Sequence, residues 1–547
     1  MSEQTFLKTT MRYLPFSLLF ILLLTTASGQ IRSIVRDQAE QAARRGIWDE
    51  QSWDSLNALL VPDGSRAPGH RNPLRSTTSA DSCRVRGIVY GWHPYWQGTS
   101  YNDYDFSLLS DVCYFSYEVD PATGSYLSIR NWKTTALVDR AKEAGCRVHL
   151  CVTLFEDHAR FLSNTLSRNR LIDTLIALVR LRQANGVNID FEALPSSQRR
   201  PFASFMIDLA DRFHSSIPGS QVSIALPAVD WSNVFDVAAM TPHVDLFIIM
   251  GYDYHWRGSD YAGPVSPKNS GSLWSPYDVT RSINAWLSQG APSARLCLGV
   301  PYYGYDWGTV DSTVTAMTTG SGSAVLFATA TAKAGIHGRQ WEGESSTPYY
   351  VYRADTTWRE CWYDDEVSLG MKYDLVLMKG LAGIGIWALG YDAGRGELWR
   401  ALTDHLSDCA RTPCEGSFTD MGGPAGNYYN DDDFTWTIAP EGARRVRLAF
   451  NSFSIADDTL WIHDGRSRAA PLIGIWTSQN SPGIVLAPSG AMTIRFKSND
   501  RNVSWGWTSR WLCETGSSDV QESPLPGEMN LSGRPGRRVS PDNGARR

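Results

Sequence analysis

The run Asn185-Gly186-Val187-Asn188-Ile189-Asp190-Phe191-Glu192 carries the residues best placed to do chemistry. Read as a β-strand, it sends successive side chains to opposite faces. Val187, Ile189 and Phe191 then share an apolar face, while Asn188, Asp190 and Glu192 share the other. Three polar groups buried together are costly unless they serve one another or a ligand. A carboxyl group two residues beyond a second carboxylate suits general-acid work. The charge on Asp190 and partial burial both raise the pKa of Glu192 and hold its proton near neutral pH. The same pattern also fits a structural ion-pair network at a strand end.

Such a strand needs neighbours to position it, and the chain supplies them between residues 85 and 408. Short apolar strands are predicted at 87–92, 111–116, 147–153, 186–192, 222–227, 245–252, 295–302 and 383–389. Helical runs separate most of them, as in 171–183, where Leu171, Leu175, Leu178 and Val179 recur on one face. Eight such units predict an α/β fold, a (β/α)8 TIM barrel, whose chemistry sits at the C-terminal ends of the strands, where Glu192 falls. The seventh-to-eighth connection, about 307–373, is too long for one helix and predicts a small α+β insertion. Residues 409–513 alternate apolar and polar positions between turn residues, which predicts a C-terminal all-β sandwich. Residues 30–84 read as a linker or lead-in and 514–547 as a disordered tail.

Composition narrows the function classes. A net charge of -6 offers no basic field for nucleic acid. The 21 Trp and 23 Tyr fit either a large core or flat faces lining a sugar groove. Residues 1–29 read as an export signal: Lys8 and Arg12, an apolar run from Leu14, then Ala27-Ser28-Gly29. That run is too short to span a bilayer and no later segment is apolar enough, so a secreted, periplasmic or cell-surface location without a membrane span is expected. Nine cysteines include no CxxC pair, so no zinc site is expected, and Cys414 and Cys513, which bracket the β module, are expected to form a disulfide.

Several motifs in chain order resemble glycoside hydrolase family 18, the chitinase-like barrels, over about residues 85–405. NGVNIDFE at 185–192 is similar to the fourth-strand signature DxxDxDxE, with Asn185 and Asn188 at its first two Asp positions. The resemblance implies Glu192 as acid/base and Asp190 as the residue that orients the substrate's acetamido group. Asn188 is expected to hydrogen-bond Asp190 without taking up charge. Both carboxyls lie on one wall, so they do not flank the sugar as in ordinary retaining enzymes. A substrate-assisted route is implied instead, in which the acetamido oxygen attacks the anomeric carbon. Met250-Gly251-Tyr252-Asp253 resembles the sixth-strand motif and places Tyr252 and Asp253 in the same subsite. Trp387, in the Gly383–Asp392 motif, is implied as the floor under the sugar at the cleavage point. Pro301-Tyr302-Tyr303-Gly304 and Gly91-Trp92-His93-Pro94-Tyr95-Trp96 resemble the seventh and first strands and add Tyr303 and Trp92 to the binding residues. Trp256 joins them, and Tyr95, Trp96, His255, Trp341 and Trp362 are further stacking candidates. The third strand departs from the family, with Cys151-Val152-Thr153 in place of SxGG.

The β module resembles a CUB domain through Gly416–Asp420, Phe434–Ile438, Asp458–Gly465, Phe496–Asp500 and Gly506-Trp507. Such modules bind proteins or glycans, and many hold Ca2+, which makes Asp458 and Asp500 candidate ligands. No cofactor is expected for catalysis. The leading expectation is a hydrolase of chitin or related N-acetylglucosamine polymers. The alternatives are a peptidoglycan N-acetylglucosaminidase with the same catalytic residues, and a non-catalytic lectin or adhesin on the same barrel.

Overall fold

The computed structural model describes residues 83–515 except Ala425, Ser478 and Gln479. The expected export signal, nearly all of the lead-in and the tail beyond Thr515 lie outside the described residues. Seven strands open the fold in chain order around one short hairpin partner. They are β1 (Ile88–Pro94), β2 (Asp111–Val119), the hairpin strand β3 (Tyr126–Ser128), β4 (Arg147–Leu154), β5 (Gly186–Phe191), β6 (Gln221–Pro227), β7 (Leu246–Met250) and β8 (Leu296–Pro301). A separate antiparallel sheet follows, formed by β9 (Tyr303–Thr309), β10 (Ser323–Leu326), β11 (Gln340–Glu342), β12 (Thr347–Ala354) and β13 (Thr357–Trp362), with a helix at Phe327–His337. The chain then returns through helix Glu366–Met378 to β14 (Gly383–Trp387). The parallel strands run β1-β14-β8-β7-β6-β5-β4-β2, and pairing of β1 with β2 closes the barrel. The inserted sheet begins at Tyr303, a few residues earlier than the predicted 307, because β9 continues almost directly from β8.

The strand that carries Asp190 and Glu192 is held from outside by aromatic packing. Helix Thr165–Arg182, capped by Asn164, buries Leu171, Leu175, Leu178 and Val179. Helix Arg199–Ser216 buries Phe202, Phe205, Met206, Leu209 and Phe213. The Phe191 ring stacks on Phe205 at 5.7 Å and meets Phe161 at 5.8 Å and Phe202 at 5.9 Å. Burying a side chain of that size stabilises by about 1.5–3 kcal/mol, so the end of β5 is a fixed point.

The C-terminal strands are β15 (Glu415–Thr419), β16 (Asp433–Ile438), β17 (Ala443–Ser454), β18 (Thr459–Asp464), β19 (Leu472–Trp476), β20 (Ile484–Ala487), β21 (Met492–Lys497) and β22 (Gly506–Thr515). They form two four-stranded antiparallel sheets, β15-β22-β17-β20 and β16-β21-β18-β19, over a core that includes Phe418, Phe434, Phe496 and Trp507. The expected Cys414–Cys513 disulfide joins the start of the sandwich to its last strand. A second disulfide, Cys83–Cys409, was not expected and ties the two ends of the barrel together.

The sandwich is docked against the barrel. The buried ammonium of Lys379 pairs with buried Asp432 at 2.5 Å, and Asn284 Nδ2 donates to the same carboxylate at 3.0 Å. The Tyr429 hydroxyl donates to Asp278 at 3.0 Å, beneath the Arg281 guanidinium at 4.9 Å.

Candidate active site

β5 ends at the C-terminal mouth of the barrel, and the backbone N–H of Glu192 bonds Leu154 O on β4 at 3.1 Å. Ala193 follows at φ 59°. That left-handed conformation costs a non-glycine residue about 1–2 kcal/mol and turns the chain abruptly off the strand. Asn188, Asp190 and Glu192 are all buried in the lumen.

Asp190 and Glu192 share a hydrogen bond. Burial pushes Glu192 well above the ordinary carboxylate range, and the charge of Asp190 and their shared bond push it further. Burial also raises Asp190, to about 7, while the bond from Glu192 works the other way. The proton therefore rests on Glu192, which donates to Asp190. Asp190 Oδ1 and Glu192 Oε2 are buried and accept no N–H or O–H from any other residue, so the pair answers only to itself and to what enters the cleft.

Asn188 behaves differently from expectation. Its Oδ1 accepts from Trp92 Nε1 at 3.1 Å and Cys151 Sγ at 3.6 Å, and its Nδ2 donates to Ser223 Oγ at 3.0 Å. The amide is thus engaged by β1, β4 and β6 and makes no bond to Asp190. Trp92 is likewise corrected: it is buried, its indole N–H is used on Asn188, and it forms part of the lumen wall rather than an open platform. Cys151 fills the departure on β4, lying against Asn188 with its thiol pushed up by burial.

Tyr252 follows β7 and lies close enough to Asp190 and Glu192 for their charges to add to burial in raising its hydroxyl pKa. Asp253, at φ 62°, accepts from the Tyr303 hydroxyl at 2.5 Å. Burial raises Asp253 to about 7 against the effect of that bond. The Tyr303 ring meets Tyr252 at 6.0 Å. Trp387, at the end of β14, is walled by Phe115 at 5.0 Å and by Trp92 and Trp96 at 6.4 Å. Trp256 is half-buried, its backbone oxygen accepting from Trp307 Nε1 at 3.3 Å. Trp96 and Trp362 are buried, which removes them as open stacking faces, whereas Tyr95, His255 and Trp341 keep some exposure. Ser223, which holds Asn188, was missed; its position two residues into β6, level with Asn188 on β5, was the available signal.

Residues 88–392, more than half of the chain, match the family model of glycosyl hydrolases family 18. The chain belongs to glycosyl hydrolase family 18. Residues 409–511 match the CUB domain model. Among curated relatives, di-N-acetylchitobiase of Rattus norvegicus is 24% identical over 315 residues, 53% of this chain and 78% of that protein. Bacillus subtilis YdhD, named as a sporulation-specific glycosylase, is 31% identical over 241 residues. The match takes in 42% of this chain and 52% of YdhD, so the chain spans about half the length of that relative. The cortical fragment-lytic enzyme of Bacillus subtilis is 25% identical over 262 residues, 46% of this chain and 56% of that protein. The Group IV chitinase of Ostrinia furnacalis superposes with a TM-score of 0.52 at 20% identity, covering 59% of this chain and 98% of that one, a likeness of fold.

The calcium ligand set expected in the CUB domain is not brought together. Asp458 is buried and accepts from Tyr428 at 2.5 Å and from Asn499 N and Nδ2 at 2.8 Å. Asp500 is exposed and lies 3.5 Å from Arg501. Asn499, not Asp500, is the residue that meets Asp458. Among the described residues no three His, Cys, Asp or Glu side chains cluster in a metal-binding arrangement.

Proposed function

We propose that this family 18 chain is a secreted or cell-surface glycosidase that hydrolyses β-1,4-linked N-acetylglucosamine polymers, chitin or chitooligosaccharides, with retention. The observation that carries this reading is the buried, hydrogen-bonded Asp190–Glu192 pair at the end of β5, where burial and the neighbouring Asp190 both raise the pKa of Glu192. Glu192 donates its proton to the glycosidic oxygen as the leaving sugar departs. The acetamido oxygen of the remaining sugar attacks the anomeric carbon and closes a cyclic intermediate. Asp190 accepts the acetamido N–H and balances the positive charge that forms there, and the Tyr252 hydroxyl donates to the acetamido oxygen. Glu192, now a carboxylate, takes a proton from the water that opens the intermediate on the same face, giving retention. Trp387 supplies the apolar floor, and Asp253, held by Tyr303, lines the same subsite. Two disulfides suit an oxidising compartment. The CUB domain is the candidate for a further glycan or protein contact, and Trp505, exposed on the loop before β22, is the aromatic it offers.

Similarity to two Bacillus subtilis relatives, one named for sporulation and one for cortical fragments, favours a second reading in which the same residues cleave peptidoglycan linkages. Purified protein is assayed on chitooligosaccharides and on muropeptides beside Glu192→Gln. The wild type is expected to cleave chitooligosaccharides preferentially, and the variant to lose about 10²–10⁴-fold. Preferential muropeptide cleavage selects the second reading. Binding without cleavage by both proteins refutes the enzymatic one.

A further inference from the structure

Trp231 is 54% exposed and Tyr277 39% exposed, and their rings meet edge to face at 4.7 Å. Both sit on rigid supports. The Asp230 carboxylate accepts from the backbone of Val234 and Phe235 at 3.1 and 3.0 Å, and Arg199 grips Asn233 through its backbone and side-chain oxygens at 2.8 and 2.9 Å. Beneath them, Phe235 is buried between Phe202 and Trp286. Tyr277 precedes Asp278, which caps helix Val279–Ser288 and bonds Ser270 N at 3.1 Å. An edge-to-face pair with this exposure leaves a flat ring face open to solvent.

The position of the pair is set by one bond. Ser232 Oγ, next to Trp231, donates to Leu194 O at 3.0 Å, and Leu194 is two residues past Glu192. The Trp231 loop is therefore pinned to the segment that leaves the acid. In the ring of strands, β5 lies four places from β14, across the barrel from Trp387. The acid stands beside the glycosidic oxygen, so the rim beyond it faces the departing part of the chain, while Trp387 underlies the sugar that keeps the anomeric carbon.

We infer that Trp231 and Tyr277 form a sugar-stacking platform for N-acetylglucosamine units on the leaving-group side of the cleavage point. This inference rests on the glycosidase reading proposed above. It makes these two aromatics determinants of polymer length preference, in a role that buried Trp92, Trp96 and Trp362 cannot fill. The apolar face of a pyranose covers an exposed ring, and loss of such a contact weakens binding by about tenfold.

The test compares the full chain with Trp231→Ala, Tyr277→Ala and Trp231→Phe on two substrates. One is N-acetylglucosamine hexamer; the other is a chitobioside with a 4-methylumbelliferyl leaving group, which places no sugar beyond the cleaved bond. The ratio of KM on the hexamer to KM on the chitobioside is expected to rise about tenfold in each alanine variant and to return towards wild type in Trp231→Phe. In a Glu192→Gln background, hexamer affinity measured by tryptophan fluorescence should fall by the same factor with Tyr277→Ala. An unchanged ratio with active wild type, or equal loss on both substrates, overturns the platform and leaves the glycosidase reading standing. A wild type that cleaves neither substrate overturns both.

Discussion

Glu360 gives a prediction whose size follows from its surroundings. It lies on β13 opposite Trp307 of β9 and is fully buried. One oxygen accepts from Trp362 Nε1 at 2.6 Å, and the other bonds no protein group. Burial raises its pKa from 4.5 to about 7; the Trp362 bond works against this and the charge of Asp311 with it. A rise of that extent, at about 1.4 kcal/mol per tenfold in proton affinity, amounts to about 3 kcal/mol. The sign follows from the raised value. Below pH 4.5 the group is neutral folded and unfolded, so it carries no ionisation penalty there. As pH climbs towards 7 the unfolded chain loses its proton while the folded chain holds it, and stability falls; above 7 the loss is complete. Glutamine keeps the acceptor for Trp362 and cannot ionise. Glu360→Gln is therefore expected to gain about 3 kcal/mol over wild type at pH 8 and almost nothing at pH 4. Urea unfolding of both proteins across that range measures the difference. Other raised acids, among them Asp190, Glu192, Asp253, Asp392 and Asp420, act equally in both and cancel. A difference that does not change with pH refutes the reasoning.

Two further outcomes are expected. Asp432→Ala strands the buried Lys379 ammonium between the domains and should cost about 3–5 kcal/mol in denaturant unfolding, whereas replacing both with leucine and methionine should recover most of it. In activity, kcat/KM should fall on the alkaline side as Glu192 loses the proton that burial and Asp190 help it retain, and that limb should flatten for a dinitrophenyl glycoside, whose leaving group needs no proton.

The barrel was legible because its signal is local and repeated. Apolar strands of five to nine residues recur between helices with clear faces, and alternation alone separated Val187, Ile189 and Phe191 from Asn188, Asp190 and Glu192. What alternation cannot supply is depth and partner. Trp92 was expected among the binding residues, but its level in the barrel, set by stagger against β2 and β14, puts it beneath the cleft against Asn188. Asn188 likewise takes its partners from three other strands, none of them its sequence neighbour. In the CUB domain a single position decides the outcome: Asn499 meets Asp458, and Asp500 turns outward. Trp231 escaped notice because nothing nearby in sequence resembles a motif; only the Ser232–Leu194 bond relates it to Glu192.

The Cys83–Cys409 disulfide has a mechanical consequence. It joins residues 326 apart, with β1 to β14 and the inserted sheet all inside the loop it closes. The flanking bonds from Arg86 N to Leu406 O at 2.6 Å and from Asp408 N to Arg84 O at 2.8 Å run beside it. Tension applied between the segment before Cys83 and the CUB domain passes through this covalent link and bypasses the barrel strands. If the CUB domain grips an insoluble polymer while the other end of the chain is held, the catalytic cleft is outside the line of force, and the β1–β14 seam is not the element that must resist unzipping.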